Sequence, residues 1–190
     1  MPIVGQFGSP AGFGVFPGGA LESIATVTVG SGGASSITLS SIPGTFQHVQ
    51  LRYLLRFTGT TYNDDFATMQ ANSSGGTAYA AHELYGNGSA AGANAFTSRA
   101  DMVIQNVPTA NRTASVFAGG VIDLLDYTST SKNKTARMMV GYDSNGAGII
   151  SVISGLWAKT SAVTSLTLSP SGTAGNFAQH STVALYGVRA

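Results

Sequence analysis

The chain has 190 residues, a length typical of one domain, and only 9% of them are Asp, Glu, Lys or Arg, against about a quarter in an ordinary soluble protein. The net charge of +1 argues against a protein that binds nucleic acid through a basic face, and the absence of cysteine excludes disulfides, thiolate zinc sites and cysteine nucleophiles. Hydrophobic residues make up 43% of the chain, too many for a solvated disordered protein, but no apolar run approaches the ~18 residues needed to cross a bilayer.

Residues 1–21 contain no charged side chain and are rich in Gly and Pro, and Glu22 is the first charged residue of the chain. Repeated Gly and Pro break helical and strand patterns, so this segment is predicted to be an extended arm. Its apolar side chains include Phe7, Phe13 and Phe16, which a free tail would expose to water. We therefore expect the arm to pack outside its own domain, with these three residues as contacts to another subunit or partner. A disordered tail is the alternative.

From residue 22 to residue 190 the sequence predicts one domain made of short strands. Residues 24–29 are rich in β-branched side chains and are followed by glycines, and residues 36–40 alternate between polar and apolar side chains. The clearest pattern comes next, because every second position is apolar at Val49, Leu51, Tyr53, Leu55 and Phe57. Such alternation predicts a long central strand with one face in the core.

Further strands are predicted between clusters of Gly, Asn, Ser and Pro, at 66–71, 78–85, 100–105, 114–125, 135–142, 148–158, 162–169 and 178–188. One of the clusters between them is 86–92. Residues 121–127 could instead form a helical turn, but no window of a dozen residues shows helical periodicity. The predicted fold is therefore an all-β, jelly-roll-like antiparallel β-sandwich with an extended N-terminal arm.

The histidines do not form a metal-binding pattern. His48, His82 and His180 are far apart in the sequence, and no HxH or HExxH spacing is present. His82 precedes Glu83, and adjacent residues in a strand point to opposite faces. His180 is placed in the last predicted strand. We predict structural or surface histidines, no metal site and no cofactor.

The carboxylates are equally sparse. A glycosidase needs two of them facing each other across a sugar, and Asp123 with Asp126 or Asp143 could be placed so, although nothing in the sequence favours the pair. Residues 63–65, Asn-Asp-Asp, could supply oxygen ligands to calcium. They lack the DxDxDG spacing, so an acidic loop between two strands is the favoured interpretation.

No catalytic residue is predicted. Serine is abundant, but no GxSxG turn opens a helix. Lys132, Lys134 and Arg137 form a small basic cluster, which is expected in a solvated loop and is too small to hold nucleic acid. Trp157 ends an apolar strand and is expected in the core, although an exposed Trp could stack on a sugar ring. These patterns do not indicate an enzyme.

Several segments resemble small virion structural proteins of tailed bacteriophages. They are IPGTF at 42–46 with the strand that follows, AHELYGNGS at 81–89, VIDLLDY at 121–127, SGLW at 154–157 and the closing residues 175–188. The resemblance covers about residues 22–188 and leaves out the Gly- and Pro-rich start. It implies a β-sandwich on the capsid or in the tail, and it carries over no active-site residue.

Within that resemblance, we expect a capsid decoration (cement) protein that binds the major capsid protein from outside, as a homotrimer, without nucleic acid or membrane. Closed symmetric assembly is general for soluble oligomers, and a charge-poor surface has little protection against association. The resemblance then makes Phe7, Phe13 and Phe16 candidate contacts to a subunit or the capsid. The main alternative is a tail or fibre component that recognises host glycans. A polysaccharide-degrading enzyme is a weaker alternative, because sandwich folds also host glycan chemistry.

Overall fold

A computed structural model describes residues 20–189, and this part of the chain contains β-strands and no helix. The strands in chain order are β1 (Leu21–Thr28), β2 (Ile37–Leu39), β3 (His48–Leu55), β4 (Asp64–Ala71), β5 (Tyr79–Gly86), β6 (Ala91–Arg99), β7 (Met102–Pro108), β8 (Ala118–Leu125), β9 (Lys134–Asp143), β10 (Gly148–Trp157), β11 (Leu166–Pro170) and β12 (Thr182–Val188). Phe7, Phe13 and Phe16 lie outside the described residues.

The strands form two packed sheets. The larger sheet has eight strands in the order β1-β12-β3-β8-β9-β10-β5-β6, and the smaller has four in the order β2-β11-β4-β7. Every pairing between neighbouring strands is antiparallel. The prediction of an all-β, antiparallel sandwich is confirmed.

The core lies between the sheets and is built by alternation along the strands. In β3, Val49, Leu51 and Leu55 are fully buried, whereas Leu54 points outward and is 54% exposed. Apolar side chains on one face of a strand can be removed from water only by a second layer. The smaller sheet supplies that layer, so the prediction of a core face from 49 to 57 is confirmed, with regular pairing ending at Leu55.

One strand was not predicted. β6 lies partly inside the 86–92 region that was expected to be a turn, and its sequence is rich in Ala, Gly and Asn, which have low β-propensity. It forms because it pairs along β5 through a short turn, closed by the Asn87 N–H bond to the Ala90 carbonyl. The ambiguous stretch 121–127 is strand up to Leu125 and then turns.

The expected location of Lys134 was wrong. Its side chain is fully buried rather than in a solvated loop, and its ammonium donates hydrogen bonds to the carbonyls of Ser129, Lys132 and Thr160 at 2.6–3.0 Å. Burial lowers the pKa of Lys134. The cation ties the loop before β9 to the loop after β10, because a buried ammonium needs acceptors for its hydrogens.

Arg56 performs the same task at the other end of the sandwich. Its guanidinium donates to the carbonyls of Arg112, Thr113 and Val116 at 2.7–3.0 Å, and the residue is 9% exposed. The forked guanidinium can satisfy several oxygens at once. The loop between β7 and β8 is thereby held against the end of β3.

Candidate functional site

The most distinctive surface lies on the outer face of the larger sheet, away from the core. Large apolar side chains project there into solvent, each 54–64% exposed: Leu54, Leu84, Met139, Ile150 and Val152. We call this set the outer apolar face. Single exposed apolar residues are normal, but a contiguous group of them marks an interaction surface.

Strand register places these residues side by side. Val152 of β10 is directly opposite Leu84 of β5 and Met139 of β9, so the three form one row across the sheet. Ile150 lies two positions along β10, on the same face. Cross-strand neighbours have Cβ atoms about 5 Å apart, so these four side chains form one patch. Leu54 lies on the same face, separated from Ile150 by Gly119 and Gly141.

Beside this row the outer face carries a depression made by missing side chains. Gly141 of β9 is opposite both Gly119 of β8 and Ile150 of β10, and Ile150 is in turn opposite Gly86 of β5. The resulting cavity has a volume of about 680 Å³. We call it the glycine trench; Met139, Val121 and Ile150 also line it.

The trench is apolar as well as concave. Among the described residues that line the trench, only Asp143 carries a charge. Gly119 leaves real space, because a methyl group added there would meet only Leu54 Cδ2 at 3.6 Å. Gly141 does not, because an added methyl group would lie 2.7 Å from the carbonyl oxygen of Ile149. An apolar side chain from another segment could therefore enter above Gly119.

A polar band borders the outer apolar face on the side where β1 begins. The Gln50 amide donates to Asp123 at 2.8 Å, and Arg52 Nε donates to the Gln50 amide oxygen at 2.9 Å. Asp123 is opposite the exposed Arg137. We call Gln50, Arg52, Asp123 and Arg137 the polar band.

A second cavity, of about 300 Å³, opens between the two sheets. Glu83 lies in it with 3% exposure, and its carboxylate accepts hydrogen bonds from the Ser151 hydroxyl at 2.7 Å and the Asn94 amide at 2.8 Å. Tyr85, Asn106 and other polar residues also line it. We call this cavity the polar cleft.

A second carboxylate in the polar cleft belongs to Asp64, which accepts from Arg112 Nη2 at 2.8 Å and from the Tyr142 hydroxyl at 2.6 Å. Burial, followed by the bond to Asp64, raises the pKa of Tyr142. The bond to Asp64 likewise raises the pKa of Arg112. Tyr142 stays a neutral donor to Asp64 and Arg112 a cation at neutral pH. Of the two, Arg112 lines the cleft, which therefore holds a cation beside its carboxylates.

The other residues singled out in the sequence have structural surroundings. His48 Nδ1 accepts the backbone N–H of Asp126 at 2.9 Å. His82 is exposed whereas Glu83 is buried, as predicted for adjacent strand residues. His180 was expected in the last strand but lies in the turn before β12, with a positive φ of 71°. Trp157 is buried, as predicted, with its ring centroid 6.3 Å from that of Tyr79.

The acidic loop expected at 63–65 begins a strand instead. Asp64 and Asp65 are the first residues of β4, and Asp65 accepts hydrogen bonds from the hydroxyls of Ser171 and Thr173. Between residues 20 and 189, no three His, Asp or Glu side chains come together as a possible metal site. In the same part of the chain, no helix is long and apolar enough to span a membrane.

Comparisons of the chain with protein-family models, with curated proteins and with solved structures found no match. Sequence reasoning did not single out the outer apolar face. A partial signal for it was present, since Leu54 and Val152 are apolar and lie between buried neighbours, whereas Leu84 lies between the buried Glu83 and the half-buried Tyr85. Strand pairing was needed to bring those positions together.

Proposed function

We propose that this protein is a structural component of a bacteriophage virion, namely a capsid decoration (cement) protein that binds the outside of the major capsid lattice as a homotrimer. The outer apolar face carries the proposal. Five large apolar side chains exposed on one sheet face suit a surface that neighbouring proteins cover. In this proposal the protein has no enzymatic activity and acts through its contacts.

The strand order supports the jelly-roll prediction that accompanies this role. With the hairpins β5–β6 and β9–β10 set aside, the larger sheet has the order β1-β12-β3-β8 and the smaller β2-β11-β4-β7. These eight strands lie in two four-stranded sheets, and the chain alternates between the sheets except at β4 and β7, which are neighbours in the smaller one. This order is the one expected of the double Greek key of a jelly roll, a fold common in viral capsids. The two hairpins extend the larger sheet and provide most of the outer apolar face.

Copy number in purified particles tests the proposal. A decoration protein should match the major capsid protein in copy number by quantitative gel analysis, whereas a fibre protein should be present in far fewer copies. In reconstitution with undecorated capsids, Val152→Asp should lower occupancy and Ser154→Asp, on the same strand and face, should do so far less. Absence from particles, or equal occupancy for both variants, would contradict the role.

The polar cleft favours a second candidate, a tail or fibre component that binds host glycans. Neutral sugars are recognised by converging carboxylates, amides and aromatic rings, and Glu83, Asn106 and Tyr85 line this cleft. Retention on immobilised host polysaccharide, lost in Asn106→Ala and kept in the outer-face variant Val152→Asp, would support it. Release of soluble sugar would instead indicate an enzyme.

A further inference from the structure

We propose that the glycine trench is the docking site for the N-terminal arm, residues 1–19, of a second copy of this chain. The inference rests on the proposed function for its setting, an assembly that holds copies side by side. The inference identifies the segment that covers one part of the outer face of the larger sheet. The remaining exposed side chains stay available for the capsid.

The chemistry of the segment matches that of the trench. Residues 1–19 contain no charge and carry Phe7, Phe13 and Phe16 among many Gly and Pro residues. The trench is apolar, its floor includes the backbone of Gly119 and Gly141, and its volume of about 680 Å³ is larger than that of an aromatic ring. A Gly- and Pro-rich segment suits such a floor because it can approach closely without side-chain clashes. Burial of an aromatic ring there removes apolar surface of both partners from water.

The geometry of the sheet favours a neighbour's arm over the chain's own. The described chain enters β1 at Leu21, which is level with Val188 at the far end of the strands, whereas the trench is level with Thr28. The separation is about 27 Å from strand spacing and rise, within the reach of about 60 Å for a 19-residue extended segment. The straight path of a self-docked arm, however, passes over Arg52 of the polar band, which lies on β3 between the level of Leu21 and that of Gly119.

An arm on this path would strip water from the Arg52 guanidinium. Arg52 is exposed, and its Nε donates to the Gln50 amide oxygen at 2.9 Å. An arm without charged side chains cannot replace the lost hydration, and burying unpaired charge is costly. A neighbouring copy can deliver its arm from the end of the trench at the β9–β10 turn, lined by Gly146 and Ala147, and avoid Arg52.

Photo-cross-linking of the purified full-length protein tests the inference. Phe7, Phe13 and Phe16 are replaced in turn by p-benzoylphenylalanine, which reacts readily with methionine side chains such as Met139. At least one probe should give a covalent dimer on a denaturing gel, with the cross-link mapped to Met139 or Ile150. Cross-links to the trench within a single chain, or no cross-link to it from any probe, would overturn the inference.

Trench variants provide the second arm of the test. Gly119→Val fills the space above Gly119 and should weaken inter-chain cross-linking about tenfold or more. Thr135→Val, on the same sheet face at the far end of β9, is the matched control and should leave it unchanged. If Gly119→Val does not fold, Met139→Glu replaces it, because Met139 is an exposed residue on the trench wall. In that variant the cross-link from the probe at position 13 is mapped to Ile150. Unchanged cross-linking in a folded trench variant would contradict the inference.

The outcomes separate this inference from the proposed function. Inter-chain cross-linking at the trench supports arm docking even if the protein proves absent from virions. A copy number equal to that of the major capsid protein, without such cross-linking, supports the decoration role and contradicts arm docking. Both measurements use the intact chain, so neither depends on the domain folding without residues 1–19.

Discussion

The ring of Tyr53 on β3 packs directly against the backbone of Gly120, its cross-strand partner on β8. A methyl group added to Gly120 would overlap the ring atoms of Tyr53. The neighbouring Gly119 faces the other side of the sheet and has room for a side chain. Two adjacent glycines on one strand therefore have different roles, one in core packing and one in the outer surface.

Gly120→Ala should lower the free energy of unfolding by about 1–3 kcal/mol, because the ring must shift in a packed core. Gly119→Ala is the matched control and should stay within about 0.5 kcal/mol of the parent protein. Urea unfolding followed by fluorescence measures both. Equal stability of the two variants would show that Tyr53 does not depend on the space at Gly120.

Lys134→Met should lower the free energy of unfolding by about 2–4 kcal/mol, because three backbone carbonyls lose the charged donor that joins their two loops. Lys132→Met is the control two residues away. Lys132 is bonded to Asp126 at 2.6 Å, but its side chain is 66% exposed, and surface ion pairs contribute at most about 1 kcal/mol. Thermal melts of both variants measure the difference. A larger loss of stability for Lys132→Met than for Lys134→Met would contradict the role of Lys134.

Leu51→Asp should prevent folding, because it buries an unpaired charge at a position with no exposure and such losses reach about 4 kcal/mol or more. Leu54→Asp, three residues further along the same strand, should fold, because its side chain points into solvent. Circular dichroism and melting temperature distinguish them. A Leu51→Asp protein that melts like the parent would show that this face of β3 is not in the core.

Alkaline pH should destabilise the fold through buried tyrosines. Burial raises the pKa of Tyr53 above its ordinary value of 10.0, so the folded state retains a proton that the unfolded chain releases. The stabilisation is fully present below pH 10 and is lost as the pH rises above it, at about 1.4 kcal/mol per pH unit for one group. Burial also raises the pKa values of Tyr79, Tyr127 and Tyr142, which add to the loss.

Tyr53→Phe should make the decline above pH 10 shallower by about 1.4 kcal/mol per pH unit, with little change at pH 7. Tyr62→Phe, at a tyrosine that is 58% exposed, is the matched control and should decline like the parent. The measurement is urea unfolding at a series of pH values from 7 to 11. Identical slopes for Tyr53→Phe and the parent would place the Tyr53 hydroxyl in water.

The sequence alone determined the class of the fold and the face of the central strand that lies in the core. Both depend on the two-residue period of side chains along an extended chain, which is a local property. The apolar residues at every second position from 49 to 55 therefore predicted the buried face correctly before any partner strand was known. The separation of His82 from Glu83 followed from the same period.

Tertiary structure decided the features that depend on pairing between distant segments. β6 has weak β-propensity and exists because β5 lies beside it. Lys134 is buried because the loop before β9 and the loop after β10 both bring carbonyls to its ammonium. No local charge pattern predicts that arrangement. The glycine trench arises because antiparallel register sets Gly119 opposite Gly141. Register is fixed by the packing of whole sheets, so the surface it creates cannot be derived from any single strand.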